Sequence, residues 1–271
     1  MTHGSSEAES EDGQYTPPSA SEETPVPDTA PRAHTVILDW VEDELRGGRV
    51  RVGVKLPGER ALAERFGISR ASVREATRIL DAMGLVRLST GSGPTAGAVV
   101  ISEPSAALGW ALRMHVATQA LPVSDIVATR VLLETEAAHL AASRHGDAAL
   151  GDDPRRAAMA QAATLLERMD DPALPRDVFH ELDAQFHITL AALSGNVVTE
   201  TIMASLRQAV VGYVHEAVGA LADWDAVRRR LQDEHRGILA AVDARDGELA
   251  AASLREHILG FYALATGDLA D

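Results

Sequence analysis

The sequence predicts a mainly α protein, on three observations. Apolar residues recur at helical spacing over most of the chain, strand-like runs are confined to two short stretches before residue 102, and Ala, Leu, Val, Glu and Arg dominate everything beyond Glu103. With 271 residues, 46% of them hydrophobic, the chain is long enough for about two ordinary domains and apolar enough to pack a core in each. A fibrous or wholly unfolded protein is thereby excluded. No apolar run reaches the roughly 18 to 20 residues that span a bilayer, and the N-terminus is acidic where a secretion signal is basic and then apolar. The expectation is a cytoplasmic protein with no membrane partner. Cysteine is absent, which removes disulfides, thiolate zinc sites and cysteine nucleophiles and leaves His, Asp and Glu as metal ligands.

The formal charge of -15 is unevenly spread. Residues 1–30 hold seven Asp and Glu and no Lys or Arg. Rich in Ser, Pro, Thr and Glu, they bury too little surface to offset the entropy of ordering them and are expected to form a disordered acidic tail. Residues 31–102 hold eleven basic against eight acidic side chains, so the one basic segment lies between acidic ones. A polyphosphate partner would meet the chain there.

Within that segment Val36, Ile37, Trp40, Val41 and Leu45 form an apolar stripe that stops at Gly47-Gly48, which predicts a first short amphipathic helix. Pro57 suits the start and Gly67 the end of a second, carrying Ala61, Leu62, Ala63 and Phe66. Ser69 is placed to cap a third that runs through about Leu80, with Val73, Ala76, Thr77 and Leu80 on its buried side. Residues 85–88 and 98–101 read as two strands around a loop over 90–97. Helix, helix, turn, helix, hairpin is the order of a winged helix-turn-helix, placed at residues 31–102. On the third helix Arg70 and Arg74 share the face opposite the apolar one, Arg78 continues it, and Ser69 and Ser72 flank its N-terminal end. In such modules that end enters the major groove, where Arg can pair bidentately with guanine.

The run Leu56-Pro57-x-Glu59-Arg60-x-Leu62-Ala63-x-x-Phe66-Gly67-Ile68-Ser69-Arg70-x-Ser72-Val73-Arg74-Glu75-Ala76, followed by Leu80-x-x-x-Gly84-Leu85-Val86, closely resembles the DNA-binding domain of GntR-family bacterial transcription regulators. The resemblance implies that Arg60, Arg70 and Arg74 contact bases or neighbouring phosphates, that Ser69 and Ser72 hold phosphates, and that Gly91 at the wing tip approaches the minor groove. The wing Ser89-Thr90-Gly91-Ser92-Gly93-Pro94 departs from the pattern in lacking a basic residue.

Residues 103–271 are expected to form an all-helical domain for metal and effector binding and for dimerisation. Helices are placed near 105–117, 123–144, 154–169, 174–194, 197–220, 225–243 and 247–266, and the short connections between them imply an antiparallel bundle. Asp183 and His187 stand four apart on one helix, about 40° apart in azimuth and roughly 6 Å along the axis, so both can point at one site. His235 lies ten residues before a turn centred near Arg245 and His257 twelve after it, so an antiparallel hairpin brings them nearly level. Three helices thus deliver one carboxylate and three imidazoles to a common point. That donor set suits a borderline divalent ion such as Zn(II) or Ni(II), with one or two positions left for water or a ligand oxygen. His139, His145, His180 and His215 are expected at the surface or hydrogen-bonded.

The same residues resemble the FCD-type effector domain of the FadR subfamily, in which Asp-x-x-x-His on one helix and a His on each of the last two bind a divalent metal. Here the pattern reads Leu182-Asp183-x-x-Phe186-His187, then Ser194-Gly195-Asn196, Glu234-His235 and Glu256-His257. The resemblance implies a small organic acid beside the metal, its carboxylate met by Arg130 of Arg130-x-x-Leu133-Glu134; a salt bridge from Arg130 to Glu134 at i+4 is the other reading. The function implied is a homodimeric, metabolite-responsive repressor on a pseudo-palindromic double-stranded DNA operator. A rival from another class is a metallohydrolase fused to a DNA-targeting domain, with Glu181 or Glu234 as base. No nucleophile motif, Gly-rich phosphate loop or HExxH helix accompanies it, and no catalytic residue is assigned. A third reading makes the metal purely structural.

Overall fold

In the computed structural model, which describes residues 33–89, 97–143, 153–219, 221 and 223–266, each helix expected from the sequence is found close to its predicted bounds. The protein is mainly α: ten helices and a single two-stranded sheet among the described residues. The acidic tail over 1–30, the wing-tip Gly91 and His145 lie outside the described residues, as does the side chain of His215.

Local signals start and stop the first three helices, α1 (Thr35–Arg46), α2 (Glu59–Phe66) and α3 (Arg70–Ala82). The extended backbone of Ser69 lets its hydroxyl accept the Ser72 N–H at 3.0 Å, which caps α3 as expected. Gly67 ends α2 in the left-handed region at φ 64°. Pro57 is corrected: Gly58 holds the cap position and Glu59 is the first helical residue, so Pro57 lies ahead of the helix. All four residues expected on the inner side of α3 are buried, packing with Ile37 and Val41 of α1 and Leu62 of α2. The hairpin β1 (Val86–Ser89) and β2 (Gly97–Val100) closes this core through Val86 opposite Val100. One pairing is absent from the sequence expectations. Backbone from Gly53 to Leu56 runs along the other edge of β2, with Gly53 N–H on Val100 O and Leu56 N–H on Ala98 O, each at 2.8 Å. Residues 52–55 are all exposed there, so the pairing has no alternation of burial that a sequence could display.

The second helical unit comprises α4 (Pro104–Ala117), α5 (Val123–Ser143), α6 (Asp153–Met169), α7 (Arg176–Leu193), α8 (Val197–Gly219), α9 (Trp224–Asp243) and α10 (Gly247–Thr266). Buried residues fall all around α5, from Ile126 and Val127 through Arg130, Val131 and Glu134 to Ala141, so it is the central helix, with α7, α8, α9 and α10 packed about it. Two tight turns set the register of the outer helices. Between α9 and α10, Arg245 takes a left-handed φ of 62°, Asp246 N–H bonds Ala241 O at 2.9 Å and the Asp246 carboxylate accepts the Leu249 N–H at 3.0 Å. Between α7 and α8 the Asn196 side chain caps Val198 and Thr199. No described helix is long and apolar enough to cross a membrane.

The two units meet at Glu103, which precedes α4. Its N–H bonds Gly84 O at 3.0 Å and its carboxylate accepts from Arg87 at 2.6 Å. Gly84 has φ +69°, and a Cβ there would lie 2.4 Å from the Glu103 carbonyl oxygen. Gly84→Ala is therefore expected to destabilise the protein by about 2 kcal/mol or more in urea unfolding. A loss below ~0.5 kcal/mol would show that this joint yields freely.

Candidate metal centre and DNA-reading face

Asp183, His187, His235 and His257 converge. α7 supplies the first two on adjacent turns, α9 and α10 supply one each across the Arg245 turn, and one ligand atom from each residue lies within 4.8 Å of all the others. His257 Nε2 stands 3.2 Å from both His187 Nε2 and His235 Nε2, and Asp183 Oδ1 stands 3.1 Å from His235 Nε2 and 3.6 Å from His187 Nε2. Metal–ligand bonds of about 2.0 to 2.1 Å impose ligand–ligand edges near 3 to 3.4 Å, so the spacing fits a transition-metal ion. The three imidazoles are buried, His235 fully.

A second layer of carboxylates sets the tautomers. His187 Nδ1 donates to Glu134 Oε2, and His257 Nδ1 donates to Glu234 Oε2 at 2.8 Å. With those protons placed outward, the neutral rings present Nε2 lone pairs to one another and to an anionic carboxylate. Such an arrangement is repulsive until a cation occupies the centre, which is the chemistry of a metal site with oriented imidazoles. His235 Nδ1 is buried with no hydrogen-bond partner. Burial alone would raise the carboxyls of Glu134 and Asp183, but neighbouring guanidinium groups and imidazole hydrogen bonds outweigh it. Arg130, His187 and Arg207 hold Glu134 well below the usual carboxylate range, and Arg207 and His187 do the same for Asp183. Burial pushes His235 and His257 below the ordinary imidazole value, against the Asp183 and Glu234 contacts that oppose the shift.

The centre forms one wall of a cavity of about 610 Å³ between α5, α7, α8, α9 and α10, with Arg130, Asp183, Arg207 and His257 in its lining. That volume suits a small organic molecule. Arg130 makes the i+4 salt bridge, its Nε donating to Glu134 Oε1 at 2.8 Å, and its side chain also borders the cavity. Arg207 was not singled out from the sequence. Its Nη1 donates to Asp183 Oδ2 at 2.6 Å, which leaves Oδ1 facing the imidazoles. The available signal was its place on the apolar side of α8, four residues after Met203 and three before Val210, where an unpaired charge would be costly. Glu134 was visible only as an i+4 partner of Arg130. Glu234, a candidate base in the hydrolase reading, is committed to His257 and to Arg230 Nε at 2.6 Å. Glu181 is exposed at the cavity edge. His180 lines the same cavity with its ring against Trp224 and Phe261, and His139 is half-exposed beside Glu248.

On α3, Arg70, Arg74 and Arg78 are exposed on the face away from the core, and Arg60 is exposed on α2. The ion pairs of Arg70 with Glu59 at 3.8 Å and Arg60 with Glu64 at 3.7 Å are long and solvated. Pairs of that kind are worth about 0 to 1 kcal/mol and exchange readily for a phosphate or a base edge. Ser69 and Ser72 hydroxyls lie 3.0 Å apart at the helix start, next to the α3 N-terminus that favours anions.

Residues 35–95 match the family of bacterial regulatory proteins called gntR, and residues 125–260 match the FCD domain. Among curated proteins, the chain is 28% identical over 225 residues to the HTH-type transcriptional regulator LutR of Bacillus subtilis, covering 82% of this chain and 96% of that one. It is 26% identical over 224 residues to the Glc operon transcriptional activator of Escherichia coli, covering 82% and 85%. Among solved structures, Streptococcus agalactiae GntR superposes with a TM-score of 0.54 at 23% identity, over 84% of this chain and 95% of that one, a likeness of fold.

The lowered pKa values of these groups fix the sign of the pH response. His235 and His257 resist protonation when folded, so the unfolded chain takes up protons first as pH falls below about 6.5, and stability is lost from there downward. Asp183 and Glu134 add a loss in the same direction below about 4.5. Metal-stripped protein is expected to show a urea midpoint that declines steadily from pH 7.5 to 5, with a shallower decline in His235→Ala. A flat or rising midpoint over that interval would contradict the burial of neutral imidazoles.

Proposed function

Because the chain belongs to the gntR family of bacterial regulatory proteins and carries an FCD domain, we propose that it is a homodimeric, metabolite-responsive repressor whose operator affinity is set by a small carboxylate bound beside a divalent metal. The chain is a DNA-binding transcription regulator and not an enzyme, and the relatives it matches along most of their length are transcription regulators. The observation that carries the proposal is the convergence of one carboxylate and three imidazoles beside a cavity sized for a small acid, with Asp183 and His257 in its lining. Three nitrogen donors and one oxygen favour Zn(II) or Ni(II), and the bound ion supplies a Lewis-acidic point that prefers an anionic oxygen. Arg130 is the proposed partner of the effector carboxylate.

In this reading residues 31–102 are the reading head, residues 103–271 bind metal and effector and form the dimer, and residues 1–30 are a solubilising acidic tail. The protein works in the cytoplasm. Arg60, Arg70 and Arg74 meet bases and neighbouring phosphates, Ser69 and Ser72 hold phosphates, and Gly91 approaches the minor groove. Two heads related by a two-fold axis read a pseudo-palindrome. Repression is the proposed sign; among the matched relatives one is named an activator and another a repressor.

The route of response is short. α8 lines the cavity with Arg207 and Gln208, and its other side packs along α4. Gly109 of α4 sits so close to Gln208 that an added Cβ would lie 2.3 Å from its Oε1 and 2.9 Å from its Cβ. α4 in turn begins at Glu103, fastened to Gly84 and Arg87 of the head. An effector that favours one α8–α4 packing thus biases the heads, and a coupling of about 1 to 3 kcal/mol changes operator occupancy roughly five- to 150-fold.

The test begins with duplexes selected from a randomised pool by the metal-loaded protein, then measures affinity for the selected site with and without small carboxylates. A selected palindrome whose affinity no carboxylate changes would leave a regulator without this sensor. Arg70→Ala is expected to lose specific binding by about 1 to 3 kcal/mol while metal content and dimer remain unchanged, and intact base selectivity would contradict its role. Gly109→Ala should keep metal and carboxylate binding yet reduce the carboxylate effect on operator affinity to under about twofold. An undiminished effect would remove the α8–α4 contact from the route.

A further inference from the structure

Arg207 holds more binding capacity than the metal centre uses. Its side chain is 9% exposed, it borders the cavity, and its guanidinium lies directly behind Asp183. Nη1 is engaged by Asp183 Oδ2 at 2.6 Å, whereas Nη2 is 3.8 Å from Glu134 Oε2, outside hydrogen-bonding range. Nε is buried with no hydrogen-bond partner at all. Buried donors in folded proteins are almost always satisfied, so an unpartnered one in a side chain that borders the cavity points to an acceptor brought by a ligand. Arg130, by contrast, already spends its Nε on Glu134 at 2.8 Å.

Charge counting points the same way. Among the buried charges Arg130 and Arg207 balance Glu134 and Asp183, so a divalent ion held by Asp183 and the imidazoles would leave the buried cluster two charges positive, with the exposed Asp177 and Glu181 of the lining as the remaining acids. Buried excess charge seeks a counter-ion. An anion in the cavity is the group that restores the balance, and the Nε–Nη2 edge of a guanidinium is a fork that fits a carboxylate side-on.

Resting on the reading of this cavity as the effector site, we propose that Arg207 serves beside Arg130 as a second anion receptor: its Nε–H and Nη2 edge takes carboxylate oxygens of a small acid while Nη1 keeps Asp183 aimed at the metal position. The ligand class is a mono- or polycarboxylate small enough for the cavity. Arg207 thereby senses the ligand on the same helix that packs against α4.

The test uses the full-length protein at saturating Zn(II), with equal metal occupancy verified by elemental analysis, and titrates citrate, L-malate, L-lactate and the uncharged lactamide calorimetrically. Arg207→Lys retains a cation opposite Asp183 but lacks the Nε–H and the planar fork. It is expected to bind the best of the three acids at least about tenfold more weakly, and any preference of the wild type for L-lactate over lactamide should shrink by a similar factor. Arg207→Met, measured alongside, should lose at least as much. Equal acid affinity in wild type and the Lys variant overturns the receptor role alone. A wild type that binds none of the three acids overturns the small-acid reading of the cavity, and this proposal with it.

Discussion

Charge balance inside the helical bundle is the constraint on which the rest of the molecule depends. Glu134 is 2% exposed, and an isolated carboxylate at such a place would take up a proton rather than stay ionised. It stays ionised because Arg130 on its own helix, His187 on α7 and Arg207 on α8 surround it, and Arg207 and the imidazoles do the same for Asp183. A helix rotates by about 100° per residue, so a slip of α7 or α8 by one position would strand a buried charge. The ion pairs thus select one register of helices whose apolar faces would accept several. Removing one member of such a set is costly, about 3 to 5 kcal/mol, although the set as a whole adds little stability over apolar side chains of equal volume.

The same constraint leaves the centre without a free general base. Each carboxylate close to the imidazoles is already engaged: Glu134 with His187, Glu234 with His257, and Asp183 with Arg207. A general base needs an acceptor free to take a substrate proton, and none of these three has that freedom. What the arrangement leaves open is a cavity bordered by the two arginines Arg130 and Arg207. The relatives matched by this chain are transcription regulators, in accord with that chemistry.

Mechanical continuity between the cavity and the N-terminal unit comes from α4 and α8. Gly109 permits the two helices to approach until the Gln208 side chain lies over the bare backbone, and Ser205 Oγ reaches Ser105 O at 3.3 Å beside it. At its start α4 is tied to the turn after α3 and to β1 through Glu103. Little flexible chain therefore intervenes between the cavity and the reading helix. A displacement of α8 by part of an ångström has a packed path to follow, and packed interfaces respond by switching between arrangements.

By itself the sequence determined the helices, because their caps and stripes are local. Ser69 ahead of an apolar-faced run, Gly67 after another, and the turn near Arg245 can be read from neighbours a few residues apart. It also determined which residues were candidates for the centre, since Asp183 with His187 and His235 with His257 have spacings that helical geometry converts into shared faces and levels. Only the tertiary structure decided what surrounds them. That Arg207 stands behind Asp183, that Glu134 orients His187 and Glu234 orients His257, and that residues 53–56 flank β2 are contacts between segments distant in the chain. No short-range pattern encodes such contacts, because they depend on how whole helices rotate and pack.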